Sequence, residues 1–162
     1  MILKRTLYAF AGLILIVIVV VTYNYYSWRS DKVVDLSSNS LVLDTALGPI
    51  EYRQWGYGGP TILFLHGTPG GYDQYYPPPN FDPSSRRVIA VSRPGYLRTP
   101  IESGESLVEQ ADLYAALLDA LEINEVIVMG VSGGGPGAIT FAATHPERTQ
   151  ALIAGQAVSV VV

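Results

Sequence analysis

The sequence predicts an α/β fold, a mostly parallel sheet with helices on both faces, preceded by one N-terminal transmembrane helix. Three observations carry this. From residue 61 onward, short apolar runs alternate with segments of helical character. The stretch Gly130-Val131-Ser132-Gly133-Gly134 sits between a strand-like run and a helix-like one. A long uncharged apolar segment opens the chain.

That opening segment follows Lys4 and Arg5. No charge occurs from Thr6 to Trp28, and LYAFAGLILIVIVVV is almost wholly apolar. About 20 apolar residues span a bilayer core as a helix. Tyr23, Tyr25, Tyr26 and Trp28 fall where an interfacial aromatic belt would sit. Residues 1–28 are therefore expected to be a membrane anchor, with residues 7–28 in contact with lipid. A cleaved signal peptide is the competing reading, although the region after the run holds bulky tyrosines and no small-residue cleavage site. A buried soluble helix fits poorly, because the segment has no polar face. Lys4, Arg5 and the amino terminus favour a cytoplasmic N-terminus, which places the rest of the chain outside the cytoplasm.

Composition narrows the function classes. The chain has 162 residues, a formal net charge of −4 and no long basic run, so nucleic acid is not an expected partner. It contains no cysteine, which excludes disulfides, thiolate metal sites and cysteine nucleophiles. Its two histidines, His66 and His145, show no metal-ligand spacing, and no metal or organic cofactor is implied.

Residues 29–40 (RSDKVVDLSSNS) are polar and small and read as a linker. LVLDT (41–45) and IEYRQW (50–55) flank Leu47-Gly48-Pro49 and suggest an antiparallel hairpin. TILFLHG (61–67) is a near-continuous apolar run, as a strand buried on both faces requires, and RRVIAVSRPG (86–95) repeats the design. Ser106-Leu-Val-Glu109 is a capping box opening a helix. Leu107, Ala111, Tyr114, Leu118 and Leu121 then form one apolar stripe. VIVMG (126–130) reads as a strand, Pro136 suits the first turn of the next helix, and His145-Pro146 ends it. ALIAG (151–155) reads as a last strand.

The Ser132 stretch fits G-x-S-x-G in the strand-turn-helix context of a nucleophile elbow. Such a turn holds the serine in strained backbone geometry with its hydroxyl exposed. Side chains two residues before or after it would collide with the neighbouring strand or helix. The N–H of Gly133, at a helix N-terminus, is placed to stabilise an oxyanion. The alternative is a plain glycine-rich turn, or an anion site on the helix N-terminus. A second loop, HGTPGGYDQYY (66–76), follows a central strand. Its free N–H groups would supply a second oxyanion donor, most readily Thr68, since Pro69 has no N–H. It is otherwise a simple strand-to-helix turn with Asp73 as a local cap.

HGTPGGYDQ, SRPGYLRTP, SLVEQADLYAALLDALEI and VIVMGVSGGGPGAITFAATHPER occur in the order seen in the α/β-hydrolase family, and the chain resembles its serine hydrolases over residues ~41–158. The resemblance implies Ser132 as nucleophile, with the N–H groups of Gly133 and Thr68 as the oxyanion hole. It implies a small-molecule carbonyl substrate, an ester, amide or similar, and an acyl-enzyme. A serine at the elbow argues against the epoxide-hydrolase and haloalkane-dehalogenase branches, which use aspartate. By family order the strands would lie 1-2-4-3-5-6, the sixth being an unprotected edge.

The family places its acid and its histidine after the serine, in that order. Here the only histidine after Ser132 is His145, at the far end of the elbow helix and roughly 20 Å away at 1.5 Å per residue. His66 precedes the glycine loop, where relatives use it to support that loop. No aspartate follows Asp119. Residues 41–162 are thus expected to be the N-terminal part of an α/β-hydrolase domain, with cap, acid and histidine segments absent, inactive by itself. The competing function is a non-catalytic membrane-tethered binding domain on the same fold. A purely structural anchor leaves both glycine motifs unexplained. Asp73, Tyr75, Tyr76 and Arg93 are candidates for the pocket mouth and equally for ordinary loop positions.

Overall fold

The computed structural model describes residues 2–157, with side chains of the first helix described from Lys4 onward. Met1 and residues 158–162, the last five of the expected hydrolase segment, lie outside the described residues. The chain forms two compact units, residues 1–38 and 39–162.

The first unit is one helix, α1 (Ile2–Ser38). At 1.5 Å per residue its 37 residues run about 55 Å. Its most apolar window has a mean hydropathy of 2.4, so it is long and apolar enough to cross a membrane, as a span or as a signal sequence. The amide of Asn24, a polar group near the end of the apolar run, donates to the Val20 carbonyl at 2.8 Å and so is satisfied by its own helix. The polar segment read as a linker is helical through Ser38, continuous with the apolar run.

The second unit is built on a six-stranded sheet: β1 (Leu41–Thr45), β2 (Gly48–Trp55), β3 (Thr61–Leu65), β4 (Arg87–Val91), β5 (Val126–Val131) and β6 (Thr149–Gly155). The strand order is β1-β2-β4-β3-β5-β6, as expected from the sequence. β1 and β2 form the antiparallel hairpin, with Thr45 opposite Gly48, and β2 pairs antiparallel with β4. β4, β3, β5 and β6 are mutually parallel. Thr45 Oγ1 closes the hairpin turn, accepting from the Leu47 N–H and donating to the Gly48 carbonyl.

The two remaining helices are α2 (Leu107–Ala120) and α3 (Gly135–Thr144). Ser106 and Glu109 form the reciprocal capping box at the start of α2. The buried face of α2 is broader than the stripe read from the sequence. Leu113 and Leu117 are fully buried beside Ala111, Tyr114 and Leu118, whereas Leu107, in the first turn, is 41% exposed. Each buried leucine contributes about 1.5–3 kcal/mol.

α2 and α3 pack on each other and lie on one face of the sheet. This follows from chain direction. β4 to β5 and β5 to β6 both step the same way across the sheet, so right-handed crossovers put both helices on the same side. The core there joins Leu63, Leu65, Ile89, Val91, Val126 and Val128 to α2 and to Ala138 and Phe141 of α3. β3 to β4 steps the opposite way, and its crossover belongs to the other face. Among the described residues that link contains only the 3₁₀ turn Tyr72–Gln74, so the helical layers are less evenly divided than the alternation implies. Phe64 is covered on that face by an aromatic stack instead: Tyr75 lies 5.4 Å from Phe64 and 5.1 Å from Trp55, centroid to centroid. At the other end of the sheet, Leu152 and Ile153 of β6 are 42% and 45% exposed.

Candidate functional site

β3 and β5 are parallel neighbours with Leu65 opposite Gly130. Two steps further along each strand come Gly67 and Ser132, so the two glycine-rich segments leave the sheet side by side. A Cβ on Gly67 would lie 3.2 Å from Ser132 Cβ, which shows how closely the loops pass.

Ser132 has φ +50°, the left-handed region that a β-carbon disfavours. The strand ends at Val131, a 3₁₀ turn covers Ser132–Gly134, and α3 begins at Gly135. The flanking glycines are sterically required. A Cβ at Gly130 would sit 2.5 Å from the Gly134 carbonyl oxygen and 2.7 Å from Ala138 Cβ. One at Gly134 would sit 2.3 Å from the Leu65 oxygen. Gly133 lies at the start of the helical turn, where N–H groups have no partner inside the helix. Among the described residues Ser132 Oγ has no hydrogen-bond partner.

The loop after β3 is held from within. Gln74 spans it, its Oε1 accepting the Gly67 N–H at 2.9 Å and its Nε2 donating to the Pro69 carbonyl. Gly67 N–H is thereby used up, Pro69 has none, and the Thr68 N–H has no partner among the described residues. Thr68 lies against the elbow: a Cβ on Gly133 would be 2.7 Å from Thr68 Oγ1. Thr68 Oγ1 accepts from Arg93 Nη2 at 2.9 Å and lies 3.2 Å from the Tyr96 hydroxyl.

His66 is fully buried behind this loop. The Arg93 N–H donates to its Nε2 at 3.0 Å, so Nε2 is the bare acceptor nitrogen. The proton is then on Nδ1, which donates to the Gly67 carbonyl at 2.6 Å. Burial pushes the His66 pKa down to about 4. The Gly67 carbonyl opposes this and the Arg93 charge adds to it. His66 is a neutral bracket between the two loops, with both nitrogens committed. His145, at the C-cap of α3, accepts no task at the serine either. Its Nε2 lies 2.9 Å from Asp112 Oδ1 of α2, and its ring packs 5.3 Å from Phe141.

Of the candidates for the pocket mouth, only Arg93 lies against the elbow, 3.5 Å from a Cβ on Gly133. Tyr75 belongs to the aromatic stack on Phe64, Tyr76 is 86% exposed, and Asp73 makes no side-chain cap. Among the described residues no three His, Asp or Glu side chains gather as a metal site would require.

Nothing in the sequence marks Glu51, which underpins the glycine loop and the segment after β4 from behind. Its carboxylate is 1% exposed and accepts from Ser40 Oγ, Ser92 Oγ, Arg98 Nε and the Arg98 N–H, at 2.7, 2.8, 2.7 and 3.1 Å. Burial alone would raise its pKa, but these four donors together hold it below the ordinary value. Ser92 Oγ in turn accepts the Tyr72 N–H at 3.2 Å, linking Glu51 to the loop that carries Thr68.

Known proteins share this fold. A profile of the alpha/beta hydrolase fold matches residues 60–157. The uncharacterized hydrolase YcgS of Bacillus subtilis (strain 168) is 38% identical over 112 residues, 69% of this chain and 39% of that protein. A 2-hydroxy-6-oxononadienedioate/2-hydroxy-6-oxononatrienedioate hydrolase of Pseudomonas putida is 30% identical over 110 residues, 64% of this chain and 39% of that protein. An alpha/beta hydrolase fold protein from Nakamurella multipartita superposes with a TM-score of 0.65 at 39% identity, over 74% of this chain and 42% of that one. The chain thus spans about two fifths of the length of these relatives. With the profile covering more than half of its residues, the chain belongs to the α/β hydrolase fold family.

Proposed function

We propose that the protein is a membrane-anchored serine hydrolase acting on a small-molecule ester, amide or similar carbonyl compound. Ser132 Oγ attacks the carbonyl carbon and forms an acyl-enzyme, which water then releases. The N–H groups of Gly133 and Thr68 receive the negative charge that develops on the carbonyl oxygen. The observation that carries this reading is the convergence of a strained serine, Ser132, with the glycine loop, in which the Gly67 N–H is taken by Gln74 and Thr68 lies against Gly133. Hydrolase relatives at 38% and 30% identity support it.

Attack by Ser132 needs a base, and both histidines have their partners elsewhere. We infer that these residues form the nucleophile and oxyanion half of the site, and that base and acid come from elsewhere in a longer protein. The missing base is also what favours the second reading, a membrane-tethered binding domain without catalysis. Fluorophosphonate labelling separates the two. Labelling of the wild-type chain that disappears in Ser132→Ala supports the nucleophile and overturns both the binding-only reading and the inference that the base comes from elsewhere, whereas equal labelling of both removes Ser132 from that role.

α1 is the proposed anchor, through residues 7–28, with its N-terminus cytoplasmic and the hydrolase unit on the other side. Carbonate-resistant sedimentation with membranes is expected for the full chain and not after deletion of residues 1–28. Identical fractionation of the two would end the anchor reading.

A further inference from the structure

Arg93 is the one cation beside Ser132 for which the reaction just described has no use. It leaves β4 at the point where the glycine loop passes overhead, and its side chain is half-buried. One guanidinium nitrogen, Nη2, donates to Thr68 Oγ1 at 2.9 Å and lies 3.5 Å from where a Cβ on Gly133 would be. The guanidinium carbon stacks over the Tyr96 ring at 5.0 Å, which fixes the plane of the fork. Its Nε is buried and has no hydrogen-bond partner. Among the described residues the ion pairs involve Arg98, His145 and Arg148, and no carboxylate pairs with Arg93.

A half-buried guanidinium with an orphaned donor and no counter-charge is a costly arrangement. Its hydroxyl and aromatic neighbours hold it in position without neutralising it. The shape and donor geometry of a fixed guanidinium match a carboxylate.

We propose that Arg93 is an anion-binding subsite and that the compound taken at this site carries a carboxylate a few bonds from its carbonyl. In calling that compound a substrate the inference rests on Ser132 as nucleophile. The anion site itself rests on Arg93 alone. The carboxylate binds the open side of the guanidinium fork, and the carbonyl then lies over Ser132 with its oxygen toward Gly133 and Thr68. A neutral analogue of the same shape leaves the cation unpaired and binds more weakly.

The test uses the full 162-residue chain in detergent micelles, with monomethyl succinate and dimethyl succinate as probes. Amide resonances of Thr68 and Gly133 are followed by ¹H–¹⁵N NMR. The monoester is expected to bind at least about tenfold more tightly than the diester, a difference of about 1.4 kcal/mol. Arg93→Gln is expected to abolish the preference and Arg93→Lys, which keeps the charge, to retain part of it. Equal binding of the two probes by the wild type overturns the proposal, as does a preference that survives Arg93→Gln. Should Arg93→Gln lose its spectral dispersion, Arg93→Lys decides: a retained preference supports the anion site, and a lost one counts against it. Ser132→Ala is expected to keep the preference. Arg93-dependent binding together with equal fluorophosphonate labelling of the wild type and Ser132→Ala therefore sinks the nucleophile and leaves the anion site standing, whereas Ser132-dependent labelling with no preference for the monoester does the opposite.

Discussion

Arg98 Nε meets Glu51 Oε1 at 2.7 Å, and the two differ sharply in exposure: the Arg98 side chain is 37% exposed and that of Glu51 is 1%. Removing either partner should therefore have unequal effects. Arg98→Ala leaves a buried carboxylate short of its guanidinium and should cost about 2–3 kcal/mol. Glu51→Gln leaves a cation that can still reach water and should cost less, about 1–2 kcal/mol. Urea midpoints of the two variants against wild type check the order. A larger loss for Glu51→Gln would show that the hydroxyl donors, rather than the ion pair, dominate the site.

Stability should also fall with acidity in two steps. His66 is held neutral, with a pKa of about 4 against an ordinary 6.5, so the unfolded chain binds a proton first. The stabilisation is complete above pH 6.5, declines by up to about 3 kcal/mol as pH falls to 4, and then levels off. Glu51 has its pKa lowered from 4.5, so its contribution is complete above that pH and lost below it, as pH falls through the folded value. NMR of the His66 ring is the direct check, and a midpoint near 6.5 would refute the neutral bracket.

Ser132→Gly should stabilise the fold by about 1 kcal/mol, because glycine accepts φ +50° without the penalty a β-carbon brings. Ser132→Ala keeps the β-carbon and should not. Comparing the urea midpoints of these two variants isolates backbone strain from loss of the hydroxyl.

Glycines of the elbow should divide by their surroundings. Gly134→Ala puts a carbon 2.3 Å from the Leu65 oxygen and is expected to prevent the native elbow, with a loss of more than about 3 kcal/mol. Gly137→Ala meets only Leu65 Cδ1 at 3.5 Å, an ordinary contact. In the first turn of α3 that change should gain a fraction of the roughly 1 kcal/mol expected in a helix interior. Circular dichroism and thermal midpoints of both variants test the contrast.

The legibility of these features in sequence follows how local their physics is. Ser132 and its glycines could be read directly, since the elbow's clashes arise within a few residues and between adjacent strands. Strand order was likewise accessible through the apolar runs and the family order. Glu51 and Gln74 were not. Glu51 looks like any polar residue of a hairpin strand, and its partners Ser92 and Arg98 lie 41 and 47 residues away. Gln74 falls in a loop with no periodicity to mark it. Leu107 shares the spacing of the apolar stripe yet is 41% exposed, because spacing alone cannot tell a first-turn residue from one deeper along the helix. The helical stalk is hidden for a related reason: residues 29–38 are mostly polar, with Val33, Val34 and Leu36 among them, and their helicity continues that of the apolar segment before them.

The Gln74 carboxamide grips the loop at Gly67 and Pro69 and carries no proton that could be gained or lost near neutrality. His66 Nε2 accepts the Arg93 N–H only while the ring is uncharged, whereas its Nδ1 donates to the Gly67 carbonyl in either state. As the solution is acidified the loop should loosen on one flank first. The alignment of Gly67 and Pro69 would outlast the bond between His66 and the Arg93 backbone, so the two walls of the site come apart in a set order.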